Sequence, residues 1–173
     1  MSKFNEEERV LISNQAGELL WEKVELAQHN DHHEIVRTQI GGKPVCISTA
    51  FLSQSHNEIP CELLRQLLPK GPCAIYQITV TAPEYRGTGL FSSHARILTD
   101  WLHAFRAKTF AIVWQYPQGE IPGRKLLESL GYELKPAAAE RNQACKATTY
   151  CPVRIPQGCQ CHLRIMEYNP RKT

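Results

Sequence analysis

The chain has 173 residues, of which 42% are apolar and 21% charged; it is about one domain long, and this balance excludes wholesale disorder. A formal charge of +3, from twenty Lys+Arg against seventeen Asp+Glu, is too small and too scattered to point to nucleic acid. No apolar run reaches the roughly 18 residues of a membrane span, and the start MSKFNEEERV lacks a signal-peptide layout, so a soluble cytoplasmic protein is expected, with residues 1–173 as one domain.

In chain order, the pattern predicts a short strand at Arg9–Ser13 and a helix from about Gln15 to His29. Glu34–Ile40 and Pro44–Leu52 are β-branched runs on either side of Gly41-Gly42, a hairpin signal. Pro60–Leu68 reads as a helix opened by proline, with Leu63, Leu64, Leu67 and Leu68 on one side. Ala74–Thr81 is a strand, and Gly89–Phe105 a long helix whose apolar face runs through Leu90, His94, Ile97, Leu98, Trp101, Leu102 and Phe105. Thr109–Gln115 is a buried strand, Ile121–Leu130 a helix, and a further strand starts at Tyr132–Leu134. Lys146–Tyr150 and His162–Tyr168 read as two more strands around a Pro/Gly-rich turn. The order β-α-β-α-β predicts an α/β fold with a largely parallel central sheet flanked by helices.

Seven cysteines, an odd number without an export signal, read as reduced thiols. Cys46 and Cys73 lie in apolar strands and read as small buried hydrophobes. Cys145, Cys151, Cys159 and Cys161, with His162, admit a zinc site, a disulfide or plain thiols. No zinc-type Cys-x2-4-Cys pair occurs among them, and plain thiols are the preferred reading, with no metal assigned. His29, Asp31, His32 and His33 admit a metal site, but a solvated loop after a helix explains them better.

The most informative stretch is Ile78-Thr-Val-Thr-Ala-Pro-Glu-Tyr-Arg-Gly-Thr-Gly-Leu-Phe-Ser92. It reads as strand, tight turn and helix start. The first amides of a helix lack internal acceptors and carry the positive end of its dipole, so a polyphosphate suits this place. Arg86 and the hydroxyls of Thr88 and Ser92 would add contacts. No Gly-Lys-Ser/Thr follows, which excludes a Walker A loop, and Gly-x-Gly-x-x-Gly is incomplete, which excludes a dinucleotide fingerprint.

The stretch resembles motif A of the GNAT family of N-acetyltransferases: Val80, Pro83 and Arg86-Gly87-Thr88-Gly89-Leu90 running into a helix. Leu126-Leu127-Glu128-Ser129-Leu130-Gly131-Tyr132 is similar to the same family's motif B, and the two cover about residues 73–134. The resemblance implies a mixed central sheet flanked by helices in the acyl-CoA N-acyltransferase fold, with acetyl-CoA as cosubstrate. Its pantetheine arm would pair with the backbone of Ile78 and Val80. Its pyrophosphate would rest on the amides of Arg86, Gly87, Thr88, Gly89, Leu90, Phe91 and Ser92, and a strand amide, that of Val80, would polarise the thioester carbonyl. The reaction implied is direct attack of an amine.

The sequence departs from that pattern at Leu127, which aligns with the family's frequent tyrosine acid. Its frequent asparagine partner falls near Glu120, and a glutamate sometimes present on the preceding strand is replaced by Tyr76 and Gln77. Tyr116 is then the candidate acid and Glu120 the candidate base through a water, against plain loop decoration. His94 reads as a core histidine bonded to a backbone carbonyl rather than a base, and Tyr132 as a packing residue. The expected function is acetyl transfer to a small-molecule or peptide amine, by an enzyme that a homodimer would suit. A longer-chain acyltransferase, a non-catalytic acyl-CoA sensor and a zinc-stabilised interaction protein are the alternatives.

Overall fold

The computed structural model describes residues 4–16, 32–59, 62–139 and 161–170. Helix α1 (Glu6–Ala16) opens on a reciprocal cap. The Glu8 amide donates to Asn5 Oδ1 at 2.9 Å, and the Asn5 amide donates to Glu8 Oε2 at 3.0 Å. Glu6, Glu7 and Glu8 fill the first turn, where negative charge opposes the helix dipole. The strand expected at Arg9–Ser13 is therefore the middle of a helix. Its apolar run is one-sided, with Ile12 fully buried and Val10 exposed. The helix expected from Gln15 to His29 lies almost wholly outside the described residues.

Strands β1 (His33–Ile40) and β2 (Lys43–Ser53) form the expected hairpin around Gly41-Gly42. His33 opens β1 rather than standing in a solvated loop, while His32 is exposed; His29 and Asp31 lie outside the described residues. Helix α2 (Glu62–Leu67) places Leu64 against the sheet. Next come β3 (Cys73–Thr81), a short turn at Pro83–Tyr85 and α3 (Leu90–His103). The chain continues through β4 (Lys108–Gln115), α4 (Arg124–Ser129), β5 (Tyr132–Ala139) and β6 (His162–Tyr168). Helix α4 is shorter than the Ile121–Leu130 predicted, because Gly123 sits outside the helix as its N-cap.

The six strands form one sheet in the order β1-β2-β3-β4-β6-β5. The sheet is mixed and flanked by helices as expected, but not largely parallel: among the described residues only β3 and β4 run in the same direction as neighbours. The crossover through α4 would have laid β5 beside β4. Instead β6 occupies that slot, antiparallel to both. Strand β6 falls at His162–Tyr168 as the sequence predicts, and the strand expected at Lys146–Tyr150 lies outside the described residues. So do Cys145, Cys151 and Cys159, while Cys161 is buried just before β6.

The strands carry two cores. On one face Ala50, Leu52, Ala74, Tyr76, Ala111, Val113 and Met166 meet Ala95, Leu98 and Leu102 of α3 and Leu127 of α4. On the other, Phe51, Ile75, Phe110 and Ile165 lie with Leu64, and Ile47 and Val80 pack on Ile12. Cys46, Cys73 and Tyr132 are buried within these layers, as the sequence predicts. Among the described residues no helix is long and apolar enough to cross a membrane.

Candidate active site

The site begins with a fault in β3. Thr49 of β2 faces Ile78 while the next residue, Ala50, faces Tyr76, so Gln77 is an extra residue with no opposite. The bulge reverses the side-chain alternation. Ala74 and Tyr76 face α3, whereas after the bulge Ile78 and Val80 face α1. Gln77 turns to β2, where its Oε1 accepts from Thr49 Oγ1 at 3.0 Å.

At the same point β3 and β4 part. Their parallel pairing runs from Cys73 opposite Lys108 to Tyr76 opposite Ala111 and stops. Beyond it, Ile78–Thr81 continue along β2 and Ile112–Gln115 continue along β6. A wedge opens between these two parallel neighbours, toward their carboxyl ends. Its β3 wall carries Ile78 and Val80, and its inner backbone edge has no strand partner among the described residues. Backbone donors and acceptors so placed can pair with an extended polar ligand or with water.

The turn after β3 forms the mouth of this wedge. Gly89 caps α3 with φ +86° and no side-chain cap, and the first intrahelical bond runs from the Ser93 amide to Gly89 O at 3.0 Å. The amides of Leu90, Phe91 and Ser92 therefore have no acceptor within the helix. Arg86, Gly87, Thr88 and Gly89 are exposed, and Leu90, Phe91 and Ser92 half-buried. A Cβ on Gly87 or Gly89 would meet nothing within 4 Å, so Gly89 is required by its left-handed backbone and not by crowding inside the chain. Thr88 differs from expectation in one respect. Its hydroxyl donates to Tyr85 O at 2.6 Å, which leaves its amide, not its side-chain proton, for an anion.

No protein-family model matches the chain, and no curated protein matches it in sequence. Solved structures do match in shape. A protein assigned to the GNAT family from Desulfovibrio desulfuricans aligns with a TM-score of 0.58 at 10% identity, covering 93% of this chain and 89% of that one. The aminoglycoside 6'-N-acetyltransferase from Enterococcus faecium aligns with a TM-score of 0.54 at 12% identity, over 96% and 93% of the two chains. The ribosomal-protein-S18-alanine N-acetyltransferase from Escherichia coli gives 0.51 at 17% identity, over 95% and 77%. The chain has the GNAT acetyltransferase fold.

In this GNAT fold, Tyr116 and Glu120 close a tight turn at the end of β4. The Tyr116 amide donates to Glu120 O at 2.7 Å and the Gly119 amide to Tyr116 O at 2.8 Å. The turn stands at the same end of the sheet as the α3 cap, with Tyr116 half-buried and Glu120 exposed. Leu127 is 2% exposed, inside the core with Val113, Ile121 and Tyr132, so α4 offers no proton donor at that position. Burial pushes the Tyr132 hydroxyl up to about 12, which keeps it protonated and consistent with packing.

Three features escaped the sequence reading. The bulge is one: in the sequence Ala74, Tyr76, Ile78 and Val80 alternate without a break, so only the pairing register shows the slip. The second is Arg164 of β6, whose Nη1 donates to Gln115 Oε1 at 2.5 Å and Nη2 to Lys135 O at 2.7 Å. It braces the tip of β4, and pairing across 49 residues leaves no local signal. The third is the Phe91 ring, which crosses from α3 to the start of α4: a Cβ on Gly123 would stand 2.5 Å from its Cε1.

Proposed function

We propose that the protein is an N-acetyltransferase that transfers the acetyl group of acetyl-CoA directly to an amine. One observation carries this reading: the bulged wedge between β3 and β4 opens beside three unsatisfied amides at the start of α3. The cosubstrate supplies an activated acyl thioester; the chain holds and orients it. The unpaired edge at Ile78 and Val80 suits the amides of a pantetheine arm. The amides of Leu90, Phe91 and Ser92, with Arg86, Gly87, Thr88 and Gly89 leading into them, suit a pyrophosphate. A backbone amide of the wedge, that of Val80, is the donor assigned to the developing oxyanion. Tyr116 is assigned the proton for the departing thiolate and Glu120 the relief, through water, of the incoming ammonium.

The acceptor is a small molecule or a peptide amine, the classes on which the similarly folded enzymes act by name: an aminoglycoside and a ribosomal protein's alanine. Incubating cell extract with the protein and labelled acetyl-CoA identifies it. A labelled product that needs the protein supports the enzyme, and tight CoA binding without any product supports the alternative of an acyl-CoA sensor. Leu127 is the observation that favours that alternative, because the core at that position holds no acid.

A further inference from the structure

We infer that His94 is a positioning residue that sets the spacing between the helix cap and the unpaired half of β3. The inference rests on the acyl-CoA reading above and adds a residue and a role to it. His94 lies one turn into α3 and is 2% exposed. Its ring is bonded on both sides, and to side chains rather than to the backbone carbonyl that the sequence suggested. Nε2 lies 2.8 Å from Thr38 Oγ1 of β1. Nδ1 lies 3.0 Å from Ser48 Oγ and 3.5 Å from Cys46 Sγ, both of β2.

The chain of groups continues. Ser48 Oγ lies 2.7 Å from Thr79 Oγ1 on β3, and Thr79 Oγ1 also pairs with the hydroxyl of Tyr76. Cys46 Sγ reaches Thr81 Oγ1 at 3.3 Å. Tyr76 is the last residue of β3 that pairs with β4, and Thr79 and Thr81 belong to the half that has left it. One imidazole therefore links α3 to the diverging half of β3 and, in the other direction, to β1.

Bonding on both sides of one side chain marks the cap end of the helix. Farther along α3 the buried Ala95, Leu98 and Leu102 meet apolar strand residues, and the buried Thr99 makes one long bond, 3.3 Å to the Tyr132 hydroxyl. His94 instead finds two hydroxyls and a thiol on the strands, those of Thr38, Ser48 and Cys46. Apolar contact tolerates sliding, whereas hydrogen bonds at both ring nitrogens fix position and rotation. A ligand that spans the helix cap and the β3 edge needs that spacing; a ligand that touches only the cap does not. Burial lowers the His94 pKa, consistent with a neutral ring whose hydroxyl partners satisfy either tautomer.

The test is calorimetric titration of the full chain with two probes, acetyl-CoA and its nucleotide half, 3'-phospho-ADP. In His94→Leu, acetyl-CoA affinity falls about tenfold, the worth of roughly one buried hydrogen bond, while that of the nucleotide half stays within about twofold. His94→Asn, whose amide reaches toward Ser48, recovers part of the loss. Thr38→Val, at the far end of the chain, shows the same selective loss in smaller measure and keeps the test standing if His94→Leu does not fold. Equal losses on both probes, or unchanged acetyl-CoA affinity in either folded variant, overturn the proposal and leave His94 as core. Failure of the unmodified protein to bind acetyl-CoA instead removes the acyl-CoA reading itself, and the proposal with it.

Discussion

The ring of Phe91, in the first turn of α3, occupies the space that a Cβ on Gly123 would need, 2.5 Å from Cε1 and 2.8 Å from Cζ. Gly123 also has φ +75°. Two independent penalties thus fall on Gly123→Ala: left-handed backbone, about 1–3 kcal/mol, and overpacking against the ring, of similar size. The melting temperature of this variant falls by several degrees. Adding Phe91→Ala removes only the second penalty, so the double variant is less destabilised than the sum of the two single ones. Strict additivity in thermal melts contradicts the contact.

At Gly89 the penalties separate differently. No atom crowds a Cβ there, and asparagine tolerates the left-handed conformation better than other residues with a Cβ. Gly89→Asn should therefore melt within a few degrees of the parent, yet bind acetyl-CoA at least about tenfold more weakly, because a side chain now stands where an anion approaches the helix amides. Unchanged calorimetric affinity would move the pyrophosphate away from this cap.

Acid should destabilise the fold. Burial, aided by the Arg37 guanidinium, holds His33 down to about 4, from an ordinary value near 6.5. Burial also lowers His94 and His103. Between about pH 6.5 and pH 4 the unfolded chain binds protons that these folded imidazoles refuse, so stability falls as pH falls through that window. Melting temperatures from about pH 7 to pH 4.5 should show this decline, and His33→Gln should make it shallower. An unchanged slope in that variant assigns the decline to other groups.

Tyr116 and Glu120 carry the acid–base assignment. With the acceptor in hand, Tyr116→Phe should lower kcat/KM by about 10²-fold, the low end for a positioned proton donor. Glu120→Gln should matter mainly at the acid end of the range, where the amine is most protonated. If both variants keep the parent's pH–rate profile, neither residue is catalytic.

How much of this was legible depends on the range of each interaction. Gly41-Gly42 and the Arg86-Gly87-Thr88-Gly89 turn act through backbone conformation within a few residues, and the structure has both where the sequence put them. Asn5 and Glu8 carry an equally local helix cap, but the apolar run Val10-Leu11-Ile12 suggested a strand. A cap supplies two hydrogen bonds, whereas three apolar residues specify neither helix nor strand. The slot taken by β6 between β4 and β5 was not legible, because Ile165 meets Ile112 only through long-range pairing. The same holds for Arg164 with Gln115, and for His94, whose partners come from two strands that no periodicity brings to it.

An acyl-CoA held jointly by the wedge between β3 and β4 and the cap of α3 would touch two separate segments of the chain. Amide hydrogen exchange with and without acetyl-CoA tests it at the residues concerned. Slowed exchange is expected at amides within Gln77–Thr81 and Leu90–Ser92, with little change on the distant β1–β2 turn at Gly41-Gly42. Binding of acetyl-CoA that leaves both segments exchanging as before would contradict it.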